Sequence, residues 1–538
     1  MTPRSVEIYD TTLRDGSQQE GLSLSVDDKL RVAEQLDHLG VAYIEGGWPG
    51  ANPKDVEFFA RAGTELDLKV ATLVAFGSTR RPGGRAHDDE VLRHLVQAGT
   101  EAVCIVAKSS ELHVTEALRS TLDEGVAMAR ESVEFLRSQG LRVFFDAEHF
   151  FDGYKANPDY SLRVIAAAEE AGAETLVLCD TNGGTLPHEV EEIMTKVRAE
   201  TSADLGAHFH NDGGCAVANT LTAVRFGAGQ VQGCVNGYGE RTGNADLSAT
   251  IPNLTLKMGI ATIPPERLEL ITAVSHHISE LVNIAPNPQQ PYVGGSAFAN
   301  KAGLHTSAIV RRSDAYEHVS PDAVGNGARF VVSEMSGRST LVLKAAELGL
   351  EVDGEALTTV LERLKVLEHQ GYHFEVADGS LELLMRSATG WSQDFFSLES
   401  FRVITEQLSG VDGVSTEATI KVWVGGERVV ATAEGNGPIN ALDGALRRAI
   451  GSRFSVLSDL HLTDYRVRVL DTSKGTGAVT RVLLDSTDGT RSWSTIGVSE
   501  NIIEASWQAL CDSIVFGLLH SADQENSADQ ENSADEEP

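Results

Sequence analysis

The stretch Leu205–Asp212, LGAHFHND, alternates to its end and then runs into the turn residues Asn-Asp-Gly-Gly. Side chains alternate across an extended strand, so His208 and His210 share one face and Phe209 takes the other. Two imidazoles on one face can hold a metal ion between them. An isolated H-x-H is more often a pair of half-buried histidines satisfied by polar neighbours. The fold separates these readings, because it decides whether a carboxylate reaches the same spot.

Seven other short runs rich in Val, Ile, Leu and Phe precede or follow this one: VEIYD at 6, AYIEGG at 42, KVATLVAF at 69, AVCIVA at 102, RVFFDAE at 142, TLVLCD at 175 and QVQGCVNG at 230. Between them lie segments of helical spacing with helix punctuation, such as Ser25 ahead of VDDKLRVAEQLDHL, with Asp28 in the first turn and Gly40 at the end. Strand and helix alternating at about 30 residues per unit imply right-handed crossovers and a parallel sheet. The eight units fit a closed (β/α)8 barrel better than an open, doubly wound sheet.

The barrel is expected over residues 1–260 and helical extension subdomains over 261–400, including the Pro-rich NIAPNPQQPYVGGSAFANKAGLHTS. An α+β domain is expected over 401–520. There STEATIKVWVGGERVVATAEG alternates around a Gly-Gly turn as an antiparallel hairpin does, and a helix starts at Pro438. DYRVRVLD, AVTRVLLD and RSWSTIGV then repeat the strand pattern before a second helix near Glu500. The two helices share I-x-A-x-x-x-A-L, pairing Ile439, Ala441, Ala445 and Leu446 with Ile503, Ala505, Ala509 and Leu510, which reads as a duplicated module. The end, SADQENSADQENSADEEP, repeats an acidic hexapeptide and is expected to be a disordered tail over 521–538.

At 538 residues the chain is too long for one ordinary core. Hydrophobic residues make up 41% and charged residues 23%, and no apolar run of membrane-spanning length is expected. The N-terminal MTPRSVEIYDTTL leads directly into a strand without a basic or amphipathic leader, so the expected compartment is the cytoplasm. Five cysteines, Cys104, Cys179, Cys215, Cys234 and Cys511, form no C-x-x-C pair, which argues against a disulfide framework and a thiolate zinc site. A net charge of −34 would repel nucleic acid and anionic membranes, so neither is an expected partner.

In such a barrel, chemistry sits at the C-terminal ends of the strands. The polar residues at those ends are Asp10, Arg14, Asp15 and Gln18 after the first strand, Glu45 at the second and Glu148 at the fifth. Asp180, Thr181 and Asn182 end the sixth, His208 and His210 the seventh, and NGYGERTGNAD follows the eighth. Two imidazoles and a carboxylate suit a divalent cation with positions open for substrate, which polarises a carbonyl or activates water. Asp15 is the best-placed third ligand, because the first, seventh and eighth strands are neighbours once the barrel closes. A non-haem iron oxygenase uses the same donors but usually on antiparallel jelly rolls. Gly237, Gly239 and Gly243 follow the eighth strand with the wrong spacing for a dinucleotide fingerprint.

DTTLRDGSQQEG, HFHND and GYGERTGNAD together resemble the DRE-TIM metallolyase superfamily, and more closely its Claisen-condensing branch of isopropylmalate, homocitrate and citramalate synthases. The resemblance extends to AFANKAGLHTSAI, SEMSGRST and a C-terminal domain like the leucine-synthase regulatory domain. Within that branch EGGWPGANPKD, DAEHFFDGY and VSENIIEASWQAL are most similar to the citramalate-synthase group. The resemblance implies an acyltransferase joining acetyl-CoA to a 2-oxo acid such as pyruvate, in isoleucine synthesis. It implies a zinc, manganese or magnesium ion held by Asp15, His208 and His210, with Asn244 a fourth ligand. Arg14 would neutralise charge on the ketone oxygen, Thr181 would bind the keto acid's carboxylate, and Glu148 and His305 would share removal of the methyl proton. It also implies a homodimer and an isoleucine effector at the C-terminal domain. 2-Oxoisovalerate as the keto acid, a lyase of the same superfamily and a non-catalytic metabolite sensor are the competing readings.

Overall fold

The structure, a computed structural model, describes residues 5–300, 312, 315–327, 329–330, 338–350, 352, 354–407, 414–470 and 472–534. Eight strands close into a parallel barrel in chain order. They are β1 (Glu7–Asp10), β2 (Tyr43–Gly47), β3 (Thr72–Ser78), β4 (Ala102–Lys108), β5 (Arg142–Glu148), β6 (Thr175–Asp180), β7 (Asp204–Phe209) and β8 (Ala228–Gly233). Closure is made by β1 against β8, with Ile8 opposite Val231 and Asp10 opposite Gly233.

The strands are buried on both faces, so they read as near-continuous apolar runs. Their outward residues, including Ile8, Ile44, Val103 and Phe145, join the surrounding helices in one core. Inside the barrel, Tyr9, Tyr43, Phe76 and Phe144 form a separate aromatic cluster. Gln230, Gln232 and His208 are buried and polar on the side where β7 and β8 run.

Local chemistry sets the helix boundaries. Ser25 Oγ accepts from the Asp28 backbone N–H, and the Asp28 carboxylate accepts from the Ser25 N–H, a reciprocal cap that starts the helix Val26–Leu39. Gly40 ends it at φ 94°, and a Cβ there would lie 2.6 Å from Pro264 Cδ, so both backbone angle and space select glycine. Asp37 in the last turn accepts backbone N–H bonds from Lys69, Val70 and Ala71 and so aims the chain into β3.

The compact unit containing the barrel comprises Met1–Phe298 and Glu317–Ala328, beyond the boundary expected near residue 260. The Pro-rich segment belongs to it because Gln290 Nε2 donates to Asp246 Oδ2 and Asn236 Oδ1, both at 3.0 Å, pinning that segment to the loop after β8.

The second unit comprises Ala299–Tyr316 and Arg329–Pro538. Its helices Arg338–Glu347, Gly354–His369 and Asp378–Ala388 share a core that includes Leu341, Leu364, Leu381 and Met385. Two successive three-stranded antiparallel sheets follow, Ser397–Gln407, Val414–Val424 and Glu427–Gly435, then His461–Val469, Thr480–Thr487 and Ser492–Ser499. Each is followed by a helix, Pro438–Ile450 and Ile502–Ala534, so the module is a duplicated βββα unit. The repeated residues Ala441, Ala445 and Leu446 and their counterparts Ala505, Ala509 and Leu510 are buried in one core. The last strand of each copy meets its helix at a glycine: a Cβ on Gly435 would lie 2.5 Å from Ala441 N, and one on Gly497 1.9 Å from Ala505 O.

The helix from Ile502 is described to Ala534, over part of the acidic repeat; Ala, Gln and Glu favour helix, and extending an existing helix avoids the cost of nucleation. One expectation is corrected: Ile502–Ser521 is an apolar stretch of membrane-spanning length, with mean hydropathy 1.4, but 67% of it is buried, so it is a core helix of this unit.

Asp37→Ala leaves the three N–H groups of Lys69, Val70 and Ala71 without their acceptor, and should cost on the order of 2 kcal/mol or more, read as a lower urea midpoint at unchanged slope. Although burial raises the Asp37 carboxyl, its bonds to Ala71, Lys69 and Val70 outweigh this and hold it below the ordinary 3.8. A lowered folded value stabilises above the unfolded value, so this contribution is present above about pH 3.8 and disappears as acid takes the carboxyl through its folded value.

Candidate metal centre and active site

The site is built on the turn that follows β1. Asp10 at the end of the strand accepts from the Thr12 backbone N–H at 2.8 Å and hydroxyl at 2.9 Å, and from the Val235 N–H at 3.3 Å. Its role is to tie β1 to the loop after β8, and burial pushes its carboxyl up to about 7. The turn turns Arg14 and Asp15 inward. Arg14 Nε donates to Glu45 Oε1 at 2.5 Å, while Glu45 Oε2 accepts from the Tyr9 hydroxyl at 2.7 Å. The guanidinium lies 4.0 Å over the Phe76 ring, and its Nη1 is 3.4 Å from Asp15 Oδ2. Arg14 is therefore a fixed positive charge at the mouth of the barrel.

Asp15 Oδ2 lies 3.2 Å from His208 Nε2 and 3.8 Å from His210 Nε2. The three ligand atoms are mutually within 4.8 Å, all on buried residues. Burial alone would raise the Asp15 carboxyl, but Arg14 and His208 outweigh it and hold the group far below the carboxylate range. Burial and the neighbouring His208 push His210 down to about 4, which leaves a neutral imidazole with a lone pair at neutral pH.

The donor set fits a divalent cation. Asn244 is bridged to His210, and its Nδ2 donates to Tyr238 O at 3.3 Å and to Cys234 Sγ at 3.4 Å. Its Oδ1 is buried without a hydrogen-bond partner, an acceptor of the kind a cation satisfies. One carboxylate, two imidazole nitrogens and an amide oxygen suit zinc, manganese or magnesium.

A cavity of about 450 Å³ opens over this cluster, lined by Arg14, Asp15, Glu148, Thr181, His208 and His210 among others. Glu148 ends β5 and is ion-paired with Lys108 at the end of β4. Thr181 Oγ1 accepts from the His149 backbone N–H at 2.9 Å, so its hydroxyl hydrogen is left to donate. His149 holds this position at φ 57°, with its ring stacked 3.6 Å from that of His113. The Thr181 carbonyl in turn accepts from Arg241, which is ion-paired with Asp212.

Six of the residues expected at the site thus share one cavity, and Asn244 adjoins His210. His305 lies outside the described residues. Asp180 instead serves its own turn, accepting from the Thr185 N–H at 3.0 Å, and Asn182 donates to Asp152. Trp48, Phe76, Lys108 and Asp146 also line the cavity, yet the sequence reading gave them no role. Gln232 escaped it too, although the pattern Gln-Val-Gln in β8 is the signature of a polar interior face.

Fold and site together define the class, for HMGL-like matches residues 5–276. The homocitrate synthase post-HMGL domain-like family matches residues 292–372, and the LeuA allosteric (dimerisation) domain residues 375–517. The chain is 53% identical to (R)-citramalate synthase of Streptomyces coelicolor over 96% of its length and 97% of the relative's, and 51% identical to that of Synechocystis sp. over 96% of each. It is 32% identical to a probable 2-isopropylmalate synthase of Methanopyrus kandleri over 94% of its length and 97% of the relative's. The chain belongs to the (R)-citramalate synthase family, and is an enzyme of the acyltransferase class.

Replacing His208 and His210 together by alanine removes two members of the cluster Asp15, His208 and His210. Cation content after dialysis, measured by atomic emission, should fall from one per chain to none while the circular dichroism of the fold is retained.

Proposed function

We propose that this enzyme condenses acetyl-CoA with pyruvate and water to give (R)-citramalate and CoA, supplying isoleucine synthesis in the cytoplasm. The observation that carries the reading is the convergence of Arg14, Asp15, His208 and His210 over one cavity in a chain so similar to (R)-citramalate synthases along its whole length. Asp15, His208, His210 and Asn244 would hold the cation, which when bound withdraws charge from the keto acid's carbonyl.

The protein's own groups do the rest. Thr181, oriented by the His149 N–H, donates its hydroxyl hydrogen to the keto acid's carboxylate. Arg14, anchored by Glu45 and Phe76, supplies positive charge as the ketone oxygen gains negative charge in the attack. Glu148, beside Lys108, is the base that takes a proton from the acetyl methyl group as the new carbon–carbon bond forms, with His305 sharing the work. The ketone oxygen, left as an alkoxide by the attack, takes up one proton and becomes the tertiary hydroxyl, and Glu148 returns the proton it took to solvent, so that the condensation is neutral in protons. Water then cleaves the thioester, leaving a carboxylate and releasing CoA as its thiol.

Trp48 packs edge-on against Phe76, 5.6 Å between ring centres, and both line the cavity, giving the keto acid an aromatic wall rather than a flexible one. CoA release assayed across a panel of keto acids, with and without chelator, should be fastest with pyruvate and vanish with the cation. Faster turnover of 2-oxoisovalerate would transfer the assignment to isopropylmalate synthesis. Arg14→Lys keeps the charge but loses the planar anchor on Glu45, and should lower kcat by roughly 100-fold or more.

The C-terminal unit is read as the dimerisation module and as the site of isoleucine feedback. A cavity of about 810 Å³ lies between its repeats, lined by Ile439, Asn440 and Asp443 of one helix, by His461, Leu462 and Tyr465, and by Leu510 of the other helix. Leu462→Trp fills this space far from the catalytic residues in sequence, and should abolish inhibition by isoleucine while leaving uninhibited turnover unchanged. Retained inhibition would refute this site.

A further inference from the structure

A file of three side chains runs from the metal centre across the barrel's interior. His208 Nδ1 lies 2.9 Å from Gln232 Oε1, and Gln232 Nε2 donates to Asp146 Oδ1 at 2.9 Å. All three residues are buried. Asp146 is on β5 and Gln232 on β8, which are not neighbours, so this contact spans the lumen and is no by-product of strand pairing.

A neutral imidazole carries one hydrogen on two nitrogens. His208 Nε2 faces Asp15 Oδ2 and must bring a lone pair to a cation, so Nδ1 must carry the hydrogen and needs an acceptor. Glutamine alone does not guarantee one, because its amide can present either its oxygen or its NH2 group. The Asp146 carboxyl oxygen removes that freedom: it accepts from the NH2 end of Gln232 and so turns the amide carbonyl towards His208. The Cys104 thiol hydrogen-bonds the same carboxylate, so Asp146 is met by donors from two directions. His210 has no such support, since its Nδ1 has no hydrogen-bond partner. The two ligand histidines are thus held differently, one in a fixed tautomer and one not.

We propose that Asp146, acting through Gln232, is a positioning residue that sets the tautomer of His208 and thereby the affinity of the centre for its cation. This rests on the cation reading of the site, and the test separates the two. Cation-free full-length enzyme, prepared by chelation, is titrated with zinc alone against a chromophoric chelator. Gln232→Leu and Asp146→Ala should each weaken zinc binding about 10- to 100-fold. Asp146→Ala placed on Gln232→Leu should add less than about twofold, because two members of one file act as a unit. With zinc bound, the His208 Nδ1–H proton should resonate as a strongly hydrogen-bonded imidazole proton in the wild type and move upfield in Gln232→Leu, a readout that loss of packing alone would not move.

Because Asp146→Ala opens a hole in a packed interior, the isosteric exchange of Asp146→Asn with Gln232→Glu is measured beside it. The carboxylate moved to position 232 accepts from Nδ1–H directly, so this pair should keep wild-type affinity, and its loss would count against the relay. Equal weakening by Asp146→Ala in both backgrounds would show that the carboxylate acts by its charge and not through Gln232, and would overturn the relay while leaving the cation centre standing. Failure of the wild type to bind zinc, manganese or magnesium would overturn both.

Discussion

Buried charge is the constraint on which the catalytic end of this barrel depends. Asp10, Asp15, Glu45 and Asp146 are all buried within a few residues of the strand ends. An unpaired carboxylate in such a place costs several kcal/mol and tends to take up a proton instead. Each one here is met by a specific donor, yet burial still raises the carboxyls of Asp10, Glu45 and Asp146, and of the four only Asp15 is held below its ordinary range. Backbone and hydroxyl groups serve Asp10, the guanidinium of Arg14 serves Glu45 and lies beside Asp15, and an amide and a thiol serve Asp146. Asp15 is the member that two imidazole nitrogens approach, His208 Nε2 at 3.2 Å and His210 Nε2 at 3.8 Å. A divalent cation bound there would let the same atom neutralise buried acid and activate a ketone.

Closure of the barrel is what brings Asp15, His208 and His210 together. Asp15 and His208 are almost two hundred positions apart in sequence, and neither the turn after β1 nor the end of β7 could form the centre alone. Pairing of β1 with β8, reinforced by Asp10 reaching the Val235 N–H, fixes their separation. The ends of β1 and β6 place Arg14 and Thr181 on the wall of the same cavity. Arg14 is itself immobilised at three points, by Glu45, Phe76 and Asp15, so little reorganisation remains when charge develops on the substrate.

How far the sequence was legible follows from which rules are local. The period-two reading of LGAHFHND put His208 and His210 on one face, and closure then selected Asp15, because both rest on backbone geometry. Arg14, Glu148 and Thr181 were found by position at strand ends. Asp146 was passed over because it sits one layer deeper than Glu148 in the same strand, where position gives no signal and only its bond to Gln232 reveals a task. The strand Ser397–Gln407 was missed for the opposite reason: its residues are mostly exposed, so it carries no buried alternation to read. The barrel unit's extension past residue 260 depends on side-chain bonds from Gln290, which no periodicity encodes.

The net charge of −34 bears on the substrates differently from the way it bears on nucleic acid. Pyruvate and a CoA thioester are both anions, and a uniformly negative surface would repel them. At physiological salt the Debye length is about 8 Å, so acids elsewhere on the molecule are largely screened from a ligand at the cavity, whereas groups lining it are not. The cavity is lined by Arg14, Arg80, Arg81 and Lys108 against Asp15, Asp146, Glu148 and Glu240, and a bound divalent cation tips that balance to positive. Arg80 is committed to Glu124 and Glu131 and Arg14 to Glu45 and Asp15, so the surplus attraction would rest chiefly on the cation. Capture of the keto acid and its activation would then draw on the same charge, and an extended polyanion, which must also lie along the acidic surface beyond the cavity, gains nothing comparable.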